Sequence, residues 1–191
     1  MSCRVAHPCG LSVGSRLASI KINLPATAGG VHNWSQMTVD DKRGIAFIPT
    51  GTARCDFYGA NRHGKNLFGN SLLALNARTG KRIWHYQIIH HDLWDYDLAP
   101  APKLLTIRRN GQDVDVVAQA TKHGFVVVFN RETDEPIWPI EESPVPQSDV
   151  PGEQSWPTQP FPTAPAGQHR PACLPMTDQQ HVGHLVRRGL S

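Results

Sequence analysis

The chain reads Leu75-Asn76-Ala77-Arg78-Thr79-Gly80-Lys81-Arg82-Ile83-Trp84, and 54 residues later it reads Phe129-Asn130-Arg131-Glu132-Thr133-Asp134-Glu135-Pro136-Ile137-Trp138. Asn, Thr and Trp hold the same places in both copies. Each copy predicts a strand, a tight polar turn and a second strand that ends in Trp. A period near 50 residues is typical of propeller blades or of another β-repeat array. The repeat predicts two four-stranded blades; two coincidental hairpins are the alternative.

Outward from the repeat, short β-forming runs bounded by Gly and Pro complete the two units. In the first unit, strands are predicted over 34–39 and 44–49, joined by the polar turn at 40–43. Residues 50–70 are rich in Gly, Asn and aromatic residues and predict a long loop, which is where β scaffolds often carry function. In the second unit, strands are predicted over 102–107, 114–120, 125–130 and 135–140. The blades would span about 31–88 and 100–141.

Composition favours the all-β class, because 16 Gly and 16 Pro with only 39% hydrophobic residues indicate many turns. The net charge of +3 comes from interspersed residues. Nothing in this pattern is typical of a nucleic-acid or membrane-surface patch, so neither partner is expected. The four cysteines show no Cys-x-x-Cys pair and no regular framework. They favour neither a zinc site nor a disulfide scaffold.

The two ends lack sustained periodicity, so residues 1–28 and 166–191 are predicted to be irregular and less ordered than the centre. The proline-rich segment 142–165 predicts extended, loop-like chain, since proline cannot join a central strand. No apolar run is long enough to span a membrane, and the first thirty residues lack the apolar core of a signal peptide. If the protein is exported or membrane-bound, we expect that signal to lie outside this chain.

A second unusual stretch lies between the repeats and reads His90-His91-Asp92-Leu93-Trp94-Asp95-Tyr96-Asp97-Leu98. Carboxylates this close together repel and raise one another's pKa unless a cation or hydrogen-bond donors hold them. Such a cluster usually handles a metal or a proton. The two histidines point to opposite faces if they lie on a strand, so at most one could bind a common zinc ion. Orienting Asp92 or the loop backbone suits them better.

Together these motifs resemble the pyrroloquinoline quinone (PQQ) dehydrogenases, which are eight-bladed β-propellers. The turn that ends at Trp84 is similar to their repeat. The His-Asp loop, Ala118-Gln119-Ala120-Thr121-Lys122-His123-Gly124 and Pro157-Thr158-Gln159-Pro160-Phe161 resemble the membrane-bound quinoprotein glucose dehydrogenase branch. The adjacent-cysteine pair of many alcohol-oxidising members is absent, which favours the sugar-oxidising branch. The resemblance covers about 29–165 and implies a fragment of roughly two blades.

The resemblance implies roles for three residues. Asp95 matches the family's general base, which takes the hydroxyl proton while hydride passes to the quinone. Lys122 matches a lysine that hydrogen-bonds the PQQ oxygens, and Trp34 matches an indole that stacks on the cofactor. Structural alternatives stay open for each residue: Asp95 as a turn cap, Lys122 as an ordinary surface lysine, and Trp34 as a propeller core residue.

The resemblance also implies a divalent cation, Ca²⁺ or Mg²⁺, beside the quinone. Asp95 and Asp97 are the candidate ligands, since hard carboxylate oxygens suit these ions. Thr52 stands where alcohol-oxidising relatives carry a calcium-binding Asn, so direct ligation by Thr52 is in doubt.

The function implied is oxidation of a glucose-type aldose or another sugar or alcohol by hydride transfer to PQQ. Electrons would pass to ubiquinone in the membrane, at a periplasmic or inner-membrane location, and the missing blades would come from the full-length protein. The alternative is a non-catalytic propeller fragment that acts as a structural or binding module.

Overall fold

A computed structural model describes residues 29–163, and this part of the chain contains nine strands and no helix. The strands form three antiparallel sheets, so the expected all-β class is confirmed. No helix within 29–163 is long and apolar enough to cross a membrane. The irregularity predicted for 1–28 and 166–191 concerns residues outside the described range.

The first sheet contains four strands in chain order: β1 (Thr38–Asp40), β2 (Ile45–Pro49), β3 (Ser71–Asn76) and β4 (Arg82–Gln87). Its β3–β4 turn explains why the repeat carries Asn. The Oδ1 atom of Asn76 accepts hydrogen bonds from the backbone N–H of Arg78 (3.1 Å) and of Thr79 (2.9 Å). Gly80 then adopts a φ of +69°, a conformation that costs glycine little. The strand predicted over 34–39 is largely wrong, because pairing begins only at Thr38.

The second sheet contains three strands: β5 (Lys103–Arg109), β6 (Gln112–Ala120) and β7 (Val126–Asn130). The fourth strand predicted over 135–140 is wrong. Only one isolated bridge forms there, between Phe129 and Pro136. Backbone hydrogen bonds flank this bridge, from the N–H of Asn130 to the carbonyl of Glu135 (2.9 Å) and from the N–H of Ile137 to the carbonyl of Val128 (2.8 Å). The chain then bends at Ile137 and Trp138, and the next described strand begins only at Ile140.

The third sheet is a two-stranded pair of β8 (Ile140–Pro144) and β9 (Thr158–Pro162). The loop-like structure predicted for 142–165 is therefore wrong for the residues in these strands. Both strands of a two-stranded sheet are edge strands. An edge strand tolerates proline at positions where the N–H would point away from the partner strand, so Pro144, Pro160 and Pro162 can lie in β8 and β9. This pair brings the proline-rich segment back against the loop that follows β4.

The tryptophan of the first repeat joins the first two sheets. Trp84 is buried between Phe47 of its own sheet (ring centroids 5.7 Å apart) and Phe129 of the next (5.9 Å). Its indole Nε1–H donates a hydrogen bond of 2.9 Å to the backbone carbonyl of Arg131. The tryptophan of the first repeat therefore packs on the following sheet.

Candidate functional site

Lys122 and Asp95 meet although they lie 27 residues apart in sequence. Lys122 lies in the turn between β6 and β7, and Asp95 lies in the loop between β4 and β5. The Nζ atom of Lys122 donates to the backbone carbonyl of Asp95 at 2.8 Å and to its Oδ2 at 3.2 Å. Both side chains are about one-third exposed, so this contact faces solvent. Asp95 adopts a φ of +58°, a left-handed conformation uncommon outside glycine.

Asp97 joins this pair to Trp34. The Nε1–H of Trp34 donates to Oδ2 of Asp97 at 3.0 Å, and the same oxygen lies 3.8 Å from the Nζ of Lys122. Trp34 is 54% exposed, so the face of its indole ring is open to a ligand. The structure thus brings together all four residues singled out from the sequence, Trp34, Asp95, Asp97 and Lys122. Within the described part of the chain, Trp34 is therefore not packed in a core.

The other oxygen of Asp97 is held by the chain after β2. The backbone N–H of Thr52 donates to Oδ1 of Asp97 at 2.6 Å. Gly51 leaves room for this approach, since a Cβ at its position would lie 2.5 Å from the same oxygen and 3.3 Å from Nε1 of Trp34. A side chain at position 51 would therefore force the carboxylate of Asp97 to shift.

Asp92 lies beneath the site and is 1% exposed. Its Oδ1 accepts the backbone N–H of Trp94 at 2.9 Å, and its Oδ2 accepts that of Tyr96 at 2.6 Å. Oδ2 also accepts hydrogen bonds from the hydroxyl of Thr52 and from Nδ2 of Asn70, the latter at 2.9 Å. Burial raises the pKa of the Asp92 carboxyl, while the hydrogen bonds act to lower it.

The two histidines hold the start of the loop rather than a common ion. The ring of His90 contacts Oε1 of Gln87 at 2.9 Å and Oε1 of Glu142 at 2.7 Å. The ring of His91 instead contacts the carbonyl of Gly64 at 2.7 Å. Burial lowers the pKa of both histidines. Their rings reach different segments, as expected for residues that orient the loop.

Two charged residues near the site were missed from the sequence. Arg62 is fully buried, and its guanidinium donates to the backbone carbonyls of Cys55 (3.3 Å from Nε) and Asp92. Asp56 has a raised pKa, caused first by burial and then by the charges of Asp95 and Asp97. An arginine or aspartate in a polar loop normally indicates a solvated surface, so no sequence signal distinguished them.

The exposed groups fit a planar anionic ligand such as PQQ. The flat indole of Trp34 and the ammonium of Lys122 both contact one oxygen of Asp97. An aromatic face suits a planar ring, and an ammonium suits carboxylate or quinone oxygens. For a cation the fit is partial: within residues 29–163 no three His, Cys, Asp or Glu side chains come together in a metal-binding group.

Comparison with known proteins gives the family of the chain. Residues 18–185 match the β-propeller domain of the PQQ-dependent glucose/ethanol/alcohol dehydrogenases, a range that extends beyond 29–165 at both ends. Quinoprotein glucose dehydrogenase of Escherichia coli (strain K12) is 40% identical over 136 residues, covering 71% of this chain and 17% of that protein. The glycerol dehydrogenase large subunit of Gluconobacter thailandicus is 36% identical over 136 residues, covering 70% of this chain and 18% of that protein.

A solved structure is also similar to this chain. The quinohemoprotein alcohol dehydrogenase of Comamonas testosteroni aligns with a TM-score of 0.55 and 29% identity, covering 71% of this chain and 20% of that one. This chain thus spans about a fifth of the length of the proteins it matches. The sheets, the repeat and these matches agree: the chain belongs to the PQQ-dependent glucose/ethanol/alcohol dehydrogenase family and forms part of its β-propeller.

Proposed function

We propose that this chain carries the cofactor-facing part of a quinoprotein dehydrogenase that oxidises a sugar or an alcohol. One observation carries the proposal: Trp34, Asp95 and Lys122 come from three separate segments and converge around Asp97. A flat ring, a carboxylate and an ammonium on one open surface match the needs of a planar quinone and of a hydroxyl that must lose a proton.

PQQ, when bound, supplies the acceptor for the hydride that leaves the alcohol carbon. Lys122 would donate hydrogen bonds to the quinone oxygens and stabilise the negative charge that they gain on reduction. Trp34 would stack its exposed ring on the cofactor plane. Both side chains are already oriented through Asp97, so little ordering is needed when the ligand binds.

Asp95 would act as the general base. Its side chain is about one-third exposed, so a substrate hydroxyl could approach the carboxylate within hydrogen-bond distance. Lys122 contacts both the carbonyl and the carboxylate of Asp95, and so it fixes the direction in which the base points. The backbone N–H groups of Trp94 and Tyr96 donate to Asp92 rather than to Asp95, which supports a role for Asp95 other than a turn cap.

Asp95 and Asp97 would supply two oxygen ligands to Ca²⁺ or Mg²⁺. These ions take six or more ligands. The remaining ones would come from the cofactor, from water and from blades outside residues 29–163. The nearby charge of Asp56 would add to the attraction for a cation.

A glucose-type aldose is the substrate that the resemblance favours, with ubiquinone as electron acceptor and a periplasmic or inner-membrane location. The alternative, a propeller fragment that binds or supports but does not catalyse, is favoured by one observation. Within residues 29–163, no three His, Cys, Asp or Glu side chains come together as a metal-binding group.

Titration of the 191-residue chain with PQQ, followed by absorbance and by quenching of tryptophan fluorescence, tests the proposal. We expect saturable binding that Lys122→Ala weakens by about tenfold, as loss of a charge-assisted hydrogen bond implies. Lys81→Ala is the matched control, because Lys81 is exposed in the β3–β4 turn, away from the site. Absence of saturable binding by the wild-type chain would support the non-catalytic alternative.

A further inference from the structure

We propose that Asp92 is a positioning residue, whose buried carboxylate fixes the loop so that Asp95 and Asp97 face Lys122 and Trp34. Its consequence for catalysis rests on the function proposed above. The positioning itself is a property of this chain and can be measured without cofactor.

The first step of the argument is local. Asp92 accepts the backbone N–H of Trp94 at 2.9 Å and that of Tyr96 at 2.6 Å, the residues on either side of Asp95. Asp95 between them adopts a φ of +58°, which is costly for a residue with a side chain. The surrounding structure must over-determine such a conformation for it to persist. The two oxygens of Asp92 supply that constraint.

The second step connects Asp92 to Asp97. Thr52 donates its hydroxyl hydrogen to Asp92 and its backbone N–H to Oδ1 of Asp97, the latter at 2.6 Å. Asn70 donates from Nδ2 to Oδ2 of Asp92 at 2.9 Å and to the carbonyl of Tyr96 at 3.1 Å. Thr52 and Asn70 thus connect the loop between β4 and β5 to the two ends of the 50–70 loop. A shift of Asp92 would be transmitted to Asp97 through Thr52.

The third step excludes direct chemistry. Asp92 is 1% exposed, so its carboxylate cannot touch a substrate that binds at the open site. Burying a carboxylate is costly unless donors compensate. Here the donors are Thr52, Asn70 and two loop amides. The group therefore acts through the residues that it holds.

Asp92→Asn tests the proposal, because it keeps the shape and exchanges one acceptor for an NH₂ group. Oδ2 of Asp92 faces three donors, from Thr52, Asn70 and Tyr96, and the variant cannot satisfy them and Trp94 together. Hydrogen exchange by NMR follows the Thr52 amide and the Trp34 indole N–H, both bonded to Asp97. We expect their exchange to accelerate by about fivefold or more.

The indole N–H of Trp84 is the internal control, because it is buried and bonded to the distant Arg131 carbonyl. We expect it to exchange at the wild-type rate within about twofold. Unchanged exchange at Trp34 and Thr52 would overturn the proposal. Equal acceleration at all three sites would also overturn it, since Asp92 would then act only on global stability.

A second pair of variants keeps the test valid if Asp92→Asn does not fold. Thr52→Val removes the hydroxyl that donates to Asp92 but keeps the backbone N–H, whereas Thr52→Ser retains both. We expect faster exchange of the Trp34 indole in the valine variant and a near wild-type rate in the serine variant. Equal rates in the two variants would contradict the proposal.

PQQ titration of the wild-type chain separates the two proposals. If the wild-type chain binds no PQQ, the proposed function fails, while the exchange measurements still decide whether Asp92 positions the loop. If the wild-type chain binds PQQ, we expect Asp92→Asn to weaken binding by about fivefold, because Trp34 loses its fixed orientation. Wild-type affinity in a variant with altered exchange would remove the link between Asp92 and the cofactor site.

Discussion

Arg131, directly after β7, places its Nη1 atom 3.0 Å from Oδ2 of Asp40 at the end of β1, 91 residues earlier. The two side chains are only 11% and 4% exposed. Arg131 also donates to the carbonyls of Val116 and Leu105, both at 3.0 Å. This ion pair therefore connects the first and second sheets, as the packing of Trp84 on Phe129 also does.

Arg131→Met is expected to lower the free energy of unfolding by about 3 kcal/mol, because it leaves Asp40 buried with fewer partners. Arg43 still contacts Asp40 at 3.1 Å, which keeps the loss at the low end of the range for broken buried pairs. Urea unfolding measures the change. Arg108→Met is the control: its pair with Asp113 is exposed and should contribute under about 1 kcal/mol. Equal losses in both variants would contradict this prediction.

Asp95→Asn is expected to lower turnover by about 10²–10⁴-fold, because the shape is kept while the proton acceptor is lost. The measurement needs a chimera that carries residues 30–165 in a full-length quinoprotein, with PQQ binding measured in parallel. Asp113→Asn, at a largely exposed residue, should leave turnover unchanged. Near-full turnover would make Asp95 a structural residue, and Asp97 the next base to test, since Asp92 is buried.

Gly51→Ala is expected to weaken PQQ binding and to destabilise the fold by about 1–3 kcal/mol, because the new methyl group overlaps Oδ1 of Asp97. Fluorescence titration and urea unfolding measure the two effects. Gly29→Ala is the matched control, with 3.7 Å between its Cβ position and the nearest atom, on Arg54. Wild-type behaviour of Gly51→Ala would show that Asp97 can move without consequence.

His123 is expected to make stability depend on pH. Burial lowers its pKa to about 4, and its Nδ1 has no hydrogen-bond partner among residues 29–163. The unfolded chain, with a pKa near 6.5, binds more protons between these values, so stability falls as pH decreases through that window. The His123 contribution should fall by about 2 kcal/mol from pH 7 to pH 5.

His123→Phe should reduce this slope, since phenylalanine does not titrate and the neighbouring rings of Tyr96 and Phe125 can pack on it. Part of the slope should remain, because burial also lowers the pKa of His90 and His91. His63→Phe, at an exposed histidine, should keep the full slope. Identical slopes in the two variants would contradict the assignment to His123.

The chain is expected to self-associate, because the outer strands of the sheets within residues 29–163 carry exposed apolar residues. Leu105 on β5 is 47% exposed, Val39 on β1 is 43% exposed and Ile83 on β4 is 45% exposed. Sedimentation velocity should show a mean mass that rises with concentration, and Leu105→Lys should reduce the rise. A monodisperse, cooperatively unfolding monomer at all concentrations would contradict the interpretation as a propeller fragment.

The repeat predicted the hairpins because their turns are locally encoded. Asn76 closes its own turn, so three neighbouring residues are sufficient to specify it. The strand predicted over 135–140 was wrong because the chain pairs with β7 only around the bridge between Phe129 and Pro136 and bends at Ile137 and Trp138. Local β propensity does not show where a chain will bend away from its partner strand.

At the site, sequence motifs led to Trp34, Asp95, Asp97 and Lys122, and the structure brings these residues together. The supporting residues could not be found in the same way. Arg62 and Asn70 hold the loop through backbone carbonyls and a buried carboxylate, and such partners depend on how two distant loops pack. In a single sequence, these residue types are indistinguishable from solvated loop residues.

The contacts of Trp84 with residues later in the chain have a consequence for biosynthesis. Its indole N–H donates a hydrogen bond to the carbonyl of Arg131, which lies 47 residues further along the chain. At ribosomal rates of about 5–20 residues per second, that partner is made roughly 2–10 s after Trp84 itself. A nascent chain that ends before Arg131 therefore exposes the rings of Trp84 and Phe47 to water and to chaperones. The packing of the first sheet is therefore complete only after the second sheet has been synthesised.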